Sequence, residues 1–338
     1  MSDASDLERQ RRQAADGLRV LMAIIVLADN ALHPYVPKPA ATTAVHVFCV
    51  LCGYAASFPP AGKATGWHWL LRRAWQLGLP LLVWQAVTVA LWQCDLTRGN
   101  FGGNVTKEEV LECYTVGLQG IWCSQLNGPL WVLEVLFLGP LLVRGLQSSG
   151  QSSAAAAAFA AAYSLGWGRF GSHWAAIILG SEIRGILPHL PDDAERRGQW
   201  ALACLFPVAA VAALVVLGES MRPPAFLYSL TSAAIVLLTL GGSAASSAAI
   251  GPLARGSKYT YALYIVQGPI VNGVGYKLGV TPAGVAAGLV AIPAATLFVS
   301  RVGDVAALLE GAAERRWCAA PAVQPHRSRG KGREARRG

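Results

Sequence analysis

The stretch from Asp16 to Pro39, DGLRVLMAIIVLADNALHPYVPKP, limits what this chain can fold into more than any other. Its nineteen residues from Leu18 to Val36 are mostly apolar. At ~1.5 Å per residue such a run is about long enough to cross a hydrocarbon core of ~30 Å. Yet it contains Arg19, Asp29, Asn30 and His33. At ~100° per residue Arg19 and Asn30 fall about 20° apart, with His33 and Asp29 about 40° and 80° to the other side, so all four share one polar stripe. Ionisable groups on a membrane helix are costly and normally face the bundle interior or a water-filled cavity, which makes the stripe a candidate site. The plainer alternative is that Asp29 and His33 sit near the outer interface and snorkel.

The rest of the chain is consistent with a membrane setting. It is 54% hydrophobic and only 14% charged, too apolar and charge-poor for an ordinary soluble domain. The spacing of apolar runs predicts an all-α integral membrane protein, a bundle of about ten transmembrane helices near 18–36, 41–57, 76–93, 127–145, 153–168, 170–187, 199–217, 225–241, 259–276 and 283–302. With the N-terminus in the cytoplasm, 22 of the 28 Lys and Arg fall on the inner side. That asymmetry, with an even number of spans, places both termini in the cytoplasm. The expected organisation is an N-terminal tail over 1–17, a membrane domain over 18–302 and a basic, disordered tail over 303–338. The first sixteen residues are charged and lack an apolar core, so no cleavable signal peptide is expected. Basic residues cluster at the two tails, so nucleic-acid binding is the weaker explanation of the net charge of +9.

Several local patterns carry less than they first suggest. Cys49 and Cys52 form C-x-x-C inside an apolar span, where thiols behave as small buried hydrophobes. The loop from Cys94 to Leu126 holds Cys94, Cys113 and Cys123 with an Asn104-Val105-Thr106 sequon, which in an oxidising compartment allows one disulfide and a glycan. Gly166, Gly168 and Gly171 spell G-x-G-x-x-G between two spans rather than between a strand and a helix. Gly251 to Lys258 resembles a phosphate-binding loop but lacks its G-K-[ST] order. His68, His173, His189 and His326 are isolated in sequence, and no metal site is expected.

Five segments, in order, resemble the membrane-bound acyltransferase type 3 family: Asp16-Gly-Leu-Arg19; Phe48-Cys-Val-Leu-Cys-Gly-Tyr54; Leu71-Arg-Arg73 followed by Pro80; Gly128-Pro-Leu-Trp-Val-Leu-Glu134; and Tyr259-Thr-Tyr-Ala-Leu-Tyr-Ile-Val-Gln267. The resemblance covers about residues 16 to 300. It implies transfer of an acyl group, often acetyl, from a cytoplasmic donor such as acyl-CoA to a hydroxyl on a carbohydrate or lipid. No tightly bound cofactor is implied; acyl-CoA is the co-substrate and the bilayer the surroundings. Two family histidines fall here on Asn30 and Gln267. Neither amide titrates near neutral pH, so neither acts as a general base.

Acyl transfer to a hydroxyl needs a base, cationic groups for the donor's phosphates and donors for the developing oxyanion. Asp29 and His33 are i, i+4, a spacing at which a carboxylate can hold an imidazole in one tautomer, so His33 is the candidate base. Arg19, Arg72 and Arg73 are expected on the cytoplasmic side, where guanidinium forks suit CoA phosphates; topology signalling is the alternative. Glu134, about seven residues into its span, needs a partner such as Arg19 or His33. His46, at the outer end of the second span, is placed at the interface, with reach into the same cavity as the alternative. Tyr259, Tyr261, Tyr264, Gln267 and Asn272 suit the wall of a polar pocket. Two other classes fit as well: a catalytically inactive relative acting as a partner or regulator, suggested by Asn30 and Gln267, and a transporter with Pro-broken helices.

Overall fold

The computed structural model describes residues 2–32, 38–57, 67–97, 139–147, 171–190, 225–242, 248–279 and 281–319, with residues 106, 108, 153, 156, 157, 161, 205–207 and 209. Among these the regular structure is helical: α1 (Ser2–Leu32), α2 (Lys38–Ala56), α3 (Trp67–Gln93), α4 (Gly171–Ile186) ending in a 3-10 turn (Leu187–His189), and α5 (Ala225–Gly241). A 3-10 segment (Gly251–Tyr259) then leads into α6 (Thr260–Leu278), followed by α7 (Pro282–Ala319). Residues 139–147 are also helical.

Among the described residues three helical stretches are long and apolar enough to cross a membrane: Pro39–Ala56, Ala74–Gln93 and Pro282–Val305. Leu227–Gly241 is apolar but shorter. These stretches coincide closely with the spans expected at 41–57, 76–93, 283–302 and 225–241, and α4 and α6 occupy those expected at 170–187 and 259–276. The spans expected at 127–145, 153–168 and 199–217 fall largely outside the described residues, as do His33, Glu134, Asn104, Cys113 and Cys123.

Both ends of the described chain are more helical than their composition suggested. Helix α1 starts at Ser2, so the charged N-terminal segment continues into the apolar one. Its described apolar part, Leu18–Leu32, carries Arg19, Asp29 and Asn30, and α1 is not among the three membrane-length helices. At the other end α7 runs to Ala319. The segment VAALLEGAAERRW from Val305 is rich in Ala, Leu, Glu and Arg, which favour helix, so the expected tail begins as helix.

Glycines set the closest crossings. A Cβ added at Gly53 would stand 1.8 Å from the carbonyl oxygen of Ile177, and one at Gly180 would stand 2.0 Å from that of Val50. Small residues let membrane helices approach at backbone distance and gain van der Waals contact, which matters where lipid supplies no hydrophobic drive. Arg184 Nη1 donates to the Ser57 carbonyl at 2.6 Å further along the same pair. Positions 50–57 of α2 thus advance with 177–184 of α4, and the two helices run parallel.

Two larger apolar cores result among the described residues, beside a smaller cluster around Ala175 and Ile178. Met22 and Val26 of α1, Val47, Cys49 and Leu51 of α2, Ile177 of α4 and Leu240 of α5 form one. Cys49 is fully buried there, in keeping with a packing role for that thiol. Leu81 and Trp84 of α3, Ile265 and Ile270 of α6, and Ile292 of α7 form the other, with Leu27 of α1 packed against it. Helix α1 therefore joins the two.

Candidate functional site

Helices α1, α6 and α7 line an open cavity of about 760 Å³. Its walls include Leu27, Val271, Gly288, Ile292 and Leu297, with Asn30, Tyr259 and Thr296 as polar points. The cavity is thus apolar with a few fixed polar groups, the usual make-up of a small-molecule site. Asn30 is exposed on its wall. The Thr296 hydroxyl oxygen is buried without a hydrogen-bond partner among the described residues.

The polar stripe of α1 is divided by its own helix. Asp29 precedes Asn30 by one residue, about 100° around the axis, and is half-buried with Oδ1 shut off from solvent. Arg19 lies about 16 Å from Asn30 along the axis at ~1.5 Å per residue. Its Nη1 is 2.6 Å from Asp16 Oδ1, both side chains being about one-third exposed. Arg19 therefore has an intrahelical carboxylate partner. Gly17 between them places α1 on the 3-10 segment, since a Cβ there would stand 2.3 Å from the Ile250 carbonyl oxygen. The Asp16-Gly-Leu-Arg19 motif thus combines an ion pair with a close backbone contact. The segment resembling a phosphate loop is this same 3-10 element, packed against α1. Arg72 and Arg73 lie on the second turn of α3; their side chains are outside the described set.

The polar residues of α6 do not share one wall. Tyr259 lines the cavity, whereas Tyr261 donates its hydroxyl hydrogen to the Leu77 carbonyl of α3. Tyr264 belongs to the first core, edge-on to Phe48 at 6.2 Å. Gln267 is 1% exposed, and both its amide atoms lack a hydrogen-bond partner among the described residues. The two amides that the sequence resemblance singled out are therefore in unlike settings, Asn30 open to a cavity and Gln267 enclosed.

His46 lies buried between helices and does not line the Asn30 cavity. It is 2% exposed and sits among Ser172, His173, Tyr228 and Ser229. Its Nδ1 is 2.8 Å from the Thr42 carbonyl oxygen, its Nε2 is 3.1 Å from Ser172 Oγ, and its ring stacks on His173 at 4.3 Å. His173, isolated in sequence, is thus paired in space. No period within either helix signals a contact between residues 126 positions apart. Among the described residues no group of His, Cys, Asp and Glu could hold a metal ion.

A family model described as an acyltransferase domain matches residues 12–300. Comparisons with curated proteins and with solved structures give no match.

Proposed function

Because the chain belongs to the membrane-bound acyltransferase type 3 family, we propose that it moves an acyl group from a cytoplasmic acyl-CoA to a hydroxyl on a carbohydrate or lipid acceptor. The observation that carries this proposal is the apolar cavity between α1, α6 and α7, with Asn30 on its wall inside the matched region. An acyl chain gains about 0.8 kcal/mol per methylene on leaving water for such a lining. Asn30 can donate to a carbonyl or accept from a hydroxyl, but it takes no proton near neutral pH. His33, four residues after Asp29 in the sequence, is the proposed base for the acceptor hydroxyl. Arg19, Arg72 and Arg73 are proposed to hold the donor's phosphates, with Arg19 exchanging Asp16 for phosphate on binding. Glu134 is proposed as a further charge at this site.

The test is release of free CoA by purified protein across acyl-CoAs of rising chain length, with and without hydroxyl acceptors. Turnover that depends on an acceptor supports the proposal, and no release with any chain length rejects it. One observation favours a second reading, an inactive relative that binds acyl chains and regulates a partner: both histidine-equivalent positions hold amides. Saturable acyl-CoA binding without turnover would select it.

A further inference from the structure

The N-terminal parts of α2, α4 and α5 meet around His46, and none of the residues gathered there lines the cavity that holds Asn30. The chemistry of that cluster follows from one hydrogen bond. The Thr42 carbonyl oxygen can only accept, so in the neutral imidazole the nitrogen facing it, Nδ1, carries the hydrogen. Nε2 is then left with a lone pair 3.1 Å from Ser172 Oγ, and the hydrogen between them belongs to the serine. Ser172 therefore donates to His46, the direction required of a nucleophile and its base, with the Thr42 carbonyl as the orienting third group.

The surroundings hold that geometry. His173 stacks on the ring at 24° between planes and Tyr228 lies at 5.8 Å. Ser229 Oγ donates to the Ser172 carbonyl at 2.5 Å and Ser232 Oγ to the Thr43 carbonyl at 3.1 Å, so α5 clamps the backbone on both sides. Two turns further on, Gly53 and Gly180 fix the separation of α2 and α4.

We propose that Ser172 and His46 form a nucleophile–base dyad that carries the acyl group as a serine ester between donor and acceptor, His46 then taking the base role that direct transfer would give to His33; this rests on the acyl-transfer function proposed above. Ser172 Oγ attacks the thioester carbonyl carbon while its proton passes to His46 Nε2. The C–S bond then breaks, and the imidazolium returns the proton to the leaving thiolate. In the second half the acceptor hydroxyl attacks the serine ester and gives its proton to His46, the C–Oγ bond breaks, and Ser172 regains its hydrogen. The sum is thioester plus alcohol giving ester plus thiol.

Full-length protein in lipid nanodiscs, as wild type, Ser172→Ala and His46→Gln, is treated with an alkyl fluorophosphonate. Separate samples receive radiolabelled acetyl-CoA under acid quench, and modified residues are mapped by mass spectrometry. We expect phosphonylation of Ser172 that is absent in Ser172→Ala and ~100-fold slower in His46→Gln, with a hydroxylamine-sensitive acetyl ester on the same serine. An unlabelled Ser172 overturns the dyad whatever the protein does with acetyl-CoA. Labelled Ser172 with no CoA release supports the nucleophile and overturns the acyl-CoA donor instead. Ser172→Ala leaves the Ser229 contact with the main chain in place, and its thermal midpoint is measured alongside. If that variant melts like wild type and keeps about half or more of the CoA release, the carrier role is wrong.

Discussion

Gly180 of α4 rests on the main chain of α2 at Val50, so close that a Cβ would stand 2.0 Å from the carbonyl oxygen. The obstacle is backbone, which cannot swing aside as a side chain can. Gly180→Ala should therefore force the helices apart and cost about 1–3 kcal/mol, the usual range for overpacking. Gly185, on the same helix, has nothing among the described residues within 4 Å of its would-be Cβ. Gly185→Ala should be neutral or stabilising by up to about 1 kcal/mol through helix propensity. Thermal unfolding in detergent compares the two, and equal midpoints would contradict the close crossing.

The same crossing gives a second outcome. Ser172 and His46 lie about two turns from Gly180 and Gly53, so Gly180→Ala should lengthen the dyad contact. Fluorophosphonate labelling of Ser172 should then slow by about tenfold or more even where the protein stays folded, because proton transfer requires hydrogen-bond reach. Labelling at the wild-type rate would mean that the crossing does not position the serine.

Gly288 stands on the cavity wall with no atom of the described residues within 4 Å of a would-be Cβ. Gly288→Leu should therefore fill cavity volume without a clash. If the cavity holds the acyl chain, the variant should lose long-chain donors and keep acetyl. Excluding two methylenes at about 0.8 kcal/mol each amounts to roughly tenfold in kcat/KM. A series of acyl-CoAs from acetyl to dodecanoyl measures this, and a uniform loss across the series would remove the acyl chain from the cavity.

Sequence periodicity was sufficient for what depends on neighbours along the chain. Apolar runs near 41–57, 76–93 and 283–302 became membrane-length helices because length and hydropathy are local quantities. The stripe of α1 was legible as a stripe, but not its use. Helical angle puts Arg19 and Asn30 on one face while saying nothing of the axial distance or of Asp16, which pairs with Arg19. The polar content of α6 suggested a pocket wall, whereas Tyr261 and Tyr264 serve packing against α3 and α2. The Ser172 and His46 contact depends on which helices are neighbours and on a glycine crossing that no single helix encodes. Either residue alone reads as an ordinary polar position in an apolar span.

Arg19 and Asp16 are each about one-third exposed, and an intrahelical pair of this kind contributes well under about 1 kcal/mol to stability. Asp16→Asn should leave the thermal midpoint nearly unchanged. If Arg19 binds donor phosphates, freeing it from Asp16 should lower KM for acyl-CoA, while Arg19→Ala raises it about tenfold with kcat little changed. Arg19→Lys should rescue incompletely, because an ammonium cannot form the paired bonds of a guanidinium fork. Steady-state kinetics of the three variants test this, and an unaltered KM in Arg19→Ala would limit Arg19 to joining α1 with its own first turns.

Asn30 is exposed on the cavity wall, so an imidazole can be placed there without displacing core atoms. Asn30→His would supply a titratable base where the native amide supplies hydrogen bonds alone. A positioned base is worth about 10²-fold or more, so kcat for acyl transfer should rise in this variant. The gain has a defined sign with pH: only the neutral ring accepts a proton, so it should be present above about pH 6.5 and disappear as pH falls through that value. Gln267→His provides the contrast, since Gln267 is 1% exposed and enclosed within the bundle, and should bring no gain. Rates for both variants between about pH 5.5 and 8.5 decide the matter, the window bracketing the ordinary imidazole value. A flat response for Asn30→His would mean that the reacting hydroxyl does not visit this wall, leaving the buried pair of Ser172 and His46 as the described centre able to move a proton during transfer.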